Sequence, residues 1–121
     1  MTFDTGVLIG LERRHQRASR LVRRLRETGQ RLVVPMVVIA EWWRGRSDIR
    51  DEILRSVTIE PATVALMKMA GEALAAVPTA TPIDALVMAS AATRNDVVLT
   101  GDFQDMTRLQ AHFPGVRVLS L

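Results

Sequence analysis

The sequence predicts an α/β fold, a parallel sheet with helices on both faces, and three observations carry that prediction. Short β-type apolar runs alternate with longer runs of helical periodicity along the chain. The apolar fraction is 48% over 121 residues, enough for one well-filled core. Four carboxylates, Asp4, Glu41, Asp84 and Asp102, stand where apolar runs end, the place at which open parallel sheets bind ligands.

Thr2–Asp4 reads as a short first strand, because only three residues precede Asp4. Thr5–Leu11 opens a helix, and Gln16–Thr28 is an amphipathic helix with Leu21, Val22 and Leu25 on one face and arginines on the other. Gly29 stops it. Leu32–Val34 is the second strand, and Pro35 suits the first position of a helix running to about Arg44. A polar helix follows over Asp48–Arg55, then a third strand over Val57–Ile59. Pro61 starts a long helix from Ala62 to about Val77, ended by Pro78. Thr81 and Pro82 are a cap and first-turn pair for a helix reaching Arg94. Val97–Leu99 is the fourth strand, and Asp102 and Asp105 bracket the start of a helix ending near His112. Pro114-Gly115 turns the chain into a fifth strand over Val116–Leu119. There is no repeat, linker or low-complexity stretch, so the expectation is a single domain over residues 1–121.

Composition excludes several chemistries. With no cysteine, disulfides, thiolate metal sites and thiol nucleophiles are absent. His15 and His112 match no metal-ligand spacing. The longest apolar run, Leu32 to Ala40, contains Pro35 and is far short of the about 20 residues that span a bilayer. The first residues lack the pattern of a signal peptide, and the expected location is cytoplasmic, with no membrane partner. Among 16 basic residues only Lys68 is lysine, and eight arginines fall between Arg13 and Arg31. Guanidinium forks suit phosphate oxygens, which raises a polyanion partner beside the simpler reading of a solvated helix face.

Taken singly, each acid has a structural role open to it. Asp4 can cap the helix starting at Thr5, Thr81 to Asp84 has capping-box spacing, and Asp102 with Asp105 complements a helix dipole. Glu41 can end a buried face and reach solvent; capping does not account for it, set between Val37-Val38-Ile39-Ala40 and Trp42-Trp43, where a buried carboxylate is costly without a cation. Nor does it account for all four acids falling at one end of the sheet. No lysine stands beside any of them, so if they converge they repel and need a divalent ion.

These residues carry a resemblance. Asp4-Thr5-Gly6 after the first strand, Glu41 late in the third helix, Asp84-Ala85-Leu86-Val87-Met88-Ala89-Ser90-Ala91, and Leu99-Thr100-Gly101-Asp102 resemble, in order and spacing, the PIN-domain ribonucleases. Within them the chain is most similar to the VapC-type toxins of bacterial toxin–antitoxin pairs, over essentially its whole length. The resemblance implies a PIN-like three-layer sandwich with a five-stranded parallel sheet. It implies a Mg²⁺- or Mn²⁺-dependent endoribonuclease that is a homodimer, held by a cognate VapB-like antitoxin whose C-terminal tail enters the active-site groove. It makes Asp4, Glu41, Asp84 and Asp102 the acidic quartet, Asp105 an additional acid and Thr100 a supporting hydroxyl.

Oxygen-only donors suit Mg²⁺ or Mn²⁺. The expected direct ligands are Asp4 and Asp102, with Glu41 and Asp84 serving a second ion or ordered water and Asp105 a further ligand. Hydrolysis of an RNA phosphodiester would leave, as the family implies, a 5′-phosphate and a 3′-hydroxyl. Arg20, Arg23 and Arg24 of the arginine helix, with Arg44, Arg46 and Arg50, are candidates for holding the RNA backbone. Trp42 and Trp43 are candidates for stacking on bases or for packing. A phosphoacceptor receiver domain would need a lysine after the last strand, and a haloacid-dehalogenase-type phosphatase an aspartate at position 6; neither is present. The alternative that stays open is a non-catalytic RNA- or protein-binding module on the same scaffold.

Overall fold

The computed structural model covers Met1–Leu121. Its elements are β1 (Thr2–Phe3), α1 (Thr5–Glu12), α2 (Gln16–Glu27), β2 (Val33–Pro35), α3 (Met36–Trp42), α4 (Asp48–Arg55), β3 (Thr58–Glu60), α5 (Val64–Ala76), α6 (Pro82–Ala92), β4 (Val97–Thr100), α7 (Phe103–Gln110) and β5 (Arg117–Ser120). The five strands form one sheet in the order β3-β2-β1-β4-β5. Every pairing is parallel, with Thr2 against both Val33 and Val98, and Phe3 against Leu99.

The topology follows from the handedness of parallel crossovers. The chain steps from β1 to β2 to β3, then returns across the sheet to β4 and moves on to β5. Right-handed connections therefore put α1 to α4 on one face and α5 to α7 on the other. The packing agrees: α1 lies against α2, α3 and α4, while α6 lies against α5 and α7. The strand order reverses between β1 and β4, so a crevice opens at their carboxyl ends.

Both faces of the central strands are covered, and Phe3, Val34, Val98 and Leu99 are fully buried. Helix α6 is apolar on all sides because it is enclosed: every residue from Ala85 to Ala91 is buried. Helix α2 is the opposite case. It buries only Ala18 and Val22, leaving Leu21 and Leu25 half-covered and its arginines in solvent.

Several boundaries differ from expectation, each for a local reason. Pro35 closes β2 in register with Glu60 instead of opening the next helix, since its extended ψ of 136° continues the strand. Helix α3 stops at Trp42, short of Arg44, where Trp43 turns extended. Thr63, not Pro61, starts α5, its hydroxyl accepting from Leu66 N at 3.2 Å. Helices α6 and α7 end earlier than expected, at Ala92 and Gln110. The third and fifth strands begin one residue later than the apolar pattern suggests. Trp42 belongs to the core at 3% exposure, its indole N–H donating to Glu12 Oε2 at 2.9 Å, so it offers no stacking platform. No helix is long and apolar enough to cross a membrane.

Leu99 is 0% exposed in β4, between β1 and β5. Leu99→Ala is expected to cost about 2–5 kcal/mol in urea unfolding, the range for a large-to-small change in a closed core. A loss below about 1 kcal/mol would show that this part of the sheet collapses freely around the missing atoms.

Candidate active site

The crevice between β1 and β4 is built on one threonine. Thr100, the last residue of β4, is fully buried. Its hydroxyl donates to Asp4 Oδ2 in a very short hydrogen bond and accepts from Asp102 N at 2.8 Å. One side chain thus ties the carboxylate after β1 to the backbone after β4. Asp4 leaves the strand with extended backbone, takes the N-cap position of α1 and accepts from Val7 N at 3.3 Å through Oδ1. It therefore caps a helix and also faces the cleft. Gly6 and Gly101 let these two loops meet: a Cβ at Gly6 would lie 3.2 Å from Gly101 Cα and N and 3.3 Å from Asp4 Oδ1.

The other acids arrive from separate elements. Asp84 is in the first turn of α6, placed by Thr81, whose hydroxyl accepts from Asp84 N at 3.2 Å. Glu41 is near the end of α3 and accepts a short hydrogen bond from the Thr5 hydroxyl. It is exposed, although apolar residues flank it in sequence. Glu41 and Asp84 line the same cleft from these two helices. Asp102 occupies the N-cap position of α7, yet its side chain makes no capping bond.

Asp4, Glu41, Asp84 and Asp102, with Thr5 and Gly6, line one cleft of about 430 Å³ that no lysine or arginine enters. Elsewhere the molecule pairs its partly buried acids. Glu12 meets Arg50, Asp51 meets Arg46, Glu60 meets Arg94, and Asp96 meets the terminal amine at 2.8 Å. None of the four cleft acids has an ion pair. Burial raises the Asp4 carboxyl above its usual range, against the pull of the Thr100 hydroxyl and the N–H groups of Val7, Gly101 and Gly6. Burial, opposed by Thr81 and reinforced by the charges of Asp102, Asp105 and Asp4, lifts Asp84 to about 6. Desolvation and neighbouring Asp105 raise Asp102.

Asp105 sits at the edge of the quartet, its side chain hydrogen-bonded to that of Asp102. It does not line the cleft, pairs with Arg108 at 3.1 Å, and acts on Asp102 and Asp84 through its charge. No three carboxylates draw close enough to share one ion directly. Unpaired like charges on separate helices have no reason to close up by themselves. The donor set still fits a hard divalent cation. All its oxygens are negative and uncompensated, and Mg²⁺ needs only one or two carboxylates while keeping several waters.

The arginines divide by place. Arg20 and Arg24 line a groove between α2 and β5, and Arg23 lines another between α2 and α4. Neither groove includes a cleft acid. Arg46 is exposed and spent on Asp51. Arg44 lines a third groove with Arg50 and Arg13. Arg13 was one of eight clustered arginines; its spacing from Gly6 and Ile9, on the cleft side of α1, is the signal that separates it.

The family model for the PIN domain matches residues 1–110, and the chain belongs to that family. PIN domains are in general nucleases and typically use divalent metals. No curated protein matches significantly. Among solved structures, VapBC2 from Rickettsia felis, bound to a DNA fragment from their promoter, has a similar chain: TM-score 0.79 and 13% identity over 99% of this chain and 97% of that one. FitAB bound to the IR36 DNA fragment gives 0.71 and 17%, over 98% and 93%.

Two outcomes follow from this geometry. Gly6→Ala sets a methyl group against the Gly101 backbone, which cannot swing aside, so the two loops must part. A loss of about 1–3 kcal/mol is expected, with weaker Mn²⁺ binding by calorimetry; unchanged stability and affinity would mean that the loop contact is dispensable. The second concerns pH. The Asp84 carboxyl is 3.8 ordinarily and about 6 in the folded chain, so the metal-free fold binds this proton more tightly than the unfolded chain. Its contribution to stability therefore falls as pH rises through that window. Asp84→Asn should melt higher than the parent without metal at about pH 7.5, the gap closing near pH 4. A variant that melts lower at the higher pH would contradict the cost of holding this carboxylate charged in a buried, acidic place.

Proposed function

We propose that the chain is a metal-dependent endoribonuclease toxin of the VapC type, hydrolysing RNA phosphodiester bonds with Mg²⁺ or Mn²⁺. The observation that carries it is the cleft at the strand-order reversal of a PIN fold. Four acids from four separate segments face it, and no cation of the protein enters. Asp4 and Asp102 are the residues to hold the ion, and Glu41 and Asp84 flank them. A divalent ion, when bound, supplies the positive charge a phosphodiester needs and makes water more acidic. Thr100 holds the Asp4 carboxylate in one orientation, and Thr5 does the same for Glu41. Glu41 or Asp84 would take one proton from a water attacking phosphorus, and as the P–O3′ bond breaks that proton is returned to the 3′-oxygen, giving a 5′-phosphate and a 3′-hydroxyl. No lysine or histidine lines the cleft, so these carboxylates are the bases at hand.

The partners follow from the same reading. The similar chains were solved as VapBC2 and FitAB complexes on DNA, which supports a cognate VapB-like antitoxin; a toxin homodimer belongs to the same proposal. A second reading, a non-catalytic RNA- or protein-binding module, draws on the fact that no three carboxylates converge on one point.

The test is cleavage of single-stranded RNA by the purified chain. EDTA should stop it and Mn²⁺ should restore it. Asp4→Asn, which keeps an oxygen for Val7 N, should fold normally by circular dichroism and lose about a hundredfold or more in rate. Cleavage that survives exhaustive chelation, or a fully active Asp4→Asn protein, would reject the metal mechanism; RNA binding without cleavage in Mn²⁺ would favour the second reading.

A further inference from the structure

The acidic cleft has a basic annex. A groove of about 370 Å³ runs beside it, lined by Arg13, Arg44 and Arg50 together with Glu12 and Trp42. The two cavities share Ile9 and Glu41 as a common wall, so they are contiguous. The charges in the annex are not balanced. Glu12 is engaged twice, by Trp42 Nε1 at 2.9 Å and by Arg50 at 2.5 Å. Arg44 donates only to backbone carbonyls, Trp43 O at 2.8 Å and Ala40 O at 3.5 Å. Arg13, at the C-cap of α1, has no ion pair, although it is exposed and free to reach one. Arg50 keeps a buried Nε with no hydrogen-bond partner while its other nitrogens hold Glu12 and Gly45 O. The annex thus presents two guanidinium groups with no carboxylate partner and a third paired with Glu12.

We propose that this annex is a binding subsite for the phosphodiester backbone flanking the cut, with Arg13 and Arg44 gripping phosphate and Arg50 fixed by Glu12 as the wall that positions them. The inference rests on the nuclease reading of the neighbouring cleft. Four acids repel a polyanionic strand, so a strand that crosses them needs cationic anchorage close by. Guanidinium groups supply it in a fork that matches phosphate oxygens. The grooves lined by the α2 arginines do not serve, because neither shares a residue with the acidic cleft. The strand therefore passes over Ile9, from the loop after α3 toward Asp4 and Asp102.

The test compares the full-length parent with Arg13→Gln, Arg44→Gln and the double variant, with Arg26→Gln on the far groove as control. Arg13 and Arg44 hold no carboxylate, so their removal leaves folding intact, checked by thermal melting. Cleavage of a fluorescent single-stranded RNA in Mn²⁺ is measured across salt concentrations. Expected for the double variant is a KM raised about ten- to hundredfold, with kcat within about twofold. The salt slope of KM should fall by about 1.4, from two lost contacts. The control should follow the parent. If the parent cleaves and the double variant keeps KM and slope, the subsite is refuted and the nuclease reading stands. If the parent neither cleaves nor binds RNA, both fall together. If the variants lose affinity only for labelled oligoglutamate and not for RNA, the annex receives an acidic protein segment and the proposal is overturned.

Discussion

Uncompensated negative charge at the carboxyl ends of β1 and β4 is the constraint to which the rest of the molecule answers. Asp4 is nearly buried, Asp84 half so, and neither meets a cation. Isolated charges in such places are costly, and the raised affinity of Asp4, Asp84 and Asp102 for protons expresses that cost. The structure tolerates it through oriented neutral dipoles. The Thr100 hydroxyl, the amides around Asp4 and the Thr5 hydroxyl at Glu41 stabilise charge without cancelling it. A site that spends no cation on its acids keeps them available for one from outside.

The same economy is visible in how arginine is distributed. The chain carries 16 basic residues, yet none lines the acidic cleft. Arg50 and Arg94 tie elements together by pairing with Glu12 and Glu60, and Arg46 closes a local pair with Asp51. Arg13 and Arg44 stand at the edge of the cleft without carboxylate partners. Negative and positive compartments therefore lie side by side across Glu41 and Ile9, which is the polarity a phosphate-containing strand requires when its cutting site repels it.

Much of this was legible in the residues. The order of strands and helices follows from apolar periodicity, and α4 spans the expected Asp48–Arg55. The acids at strand ends were visible because parallel sheets deliver such positions to one edge. What went astray was decided by context. Pro35 was compatible with either a strand end or a helix start, and pairing with β3 selected the first. For Glu41 both a buried place and one at the end of a buried face were open from its neighbours in sequence, and the fold leaves it exposed beside the Thr5 hydroxyl. Trp42 went to the core once Glu12 offered its N–H a partner from α1.

Local chemistry alone therefore determined which segments are strands, which are helices and where acids and arginines fall along them, because these depend on spacing over a few residues. Convergence was decided only by the fold. The contact of Gly6 with Gly101, the bridge from Thr100 to Asp4, the gathering of four acids in one cleft and the meeting of Arg13 with Arg44 in one groove all join positions far apart in the chain. Such relations arise from sheet order and helix packing, which no stretch of sequence encodes by itself.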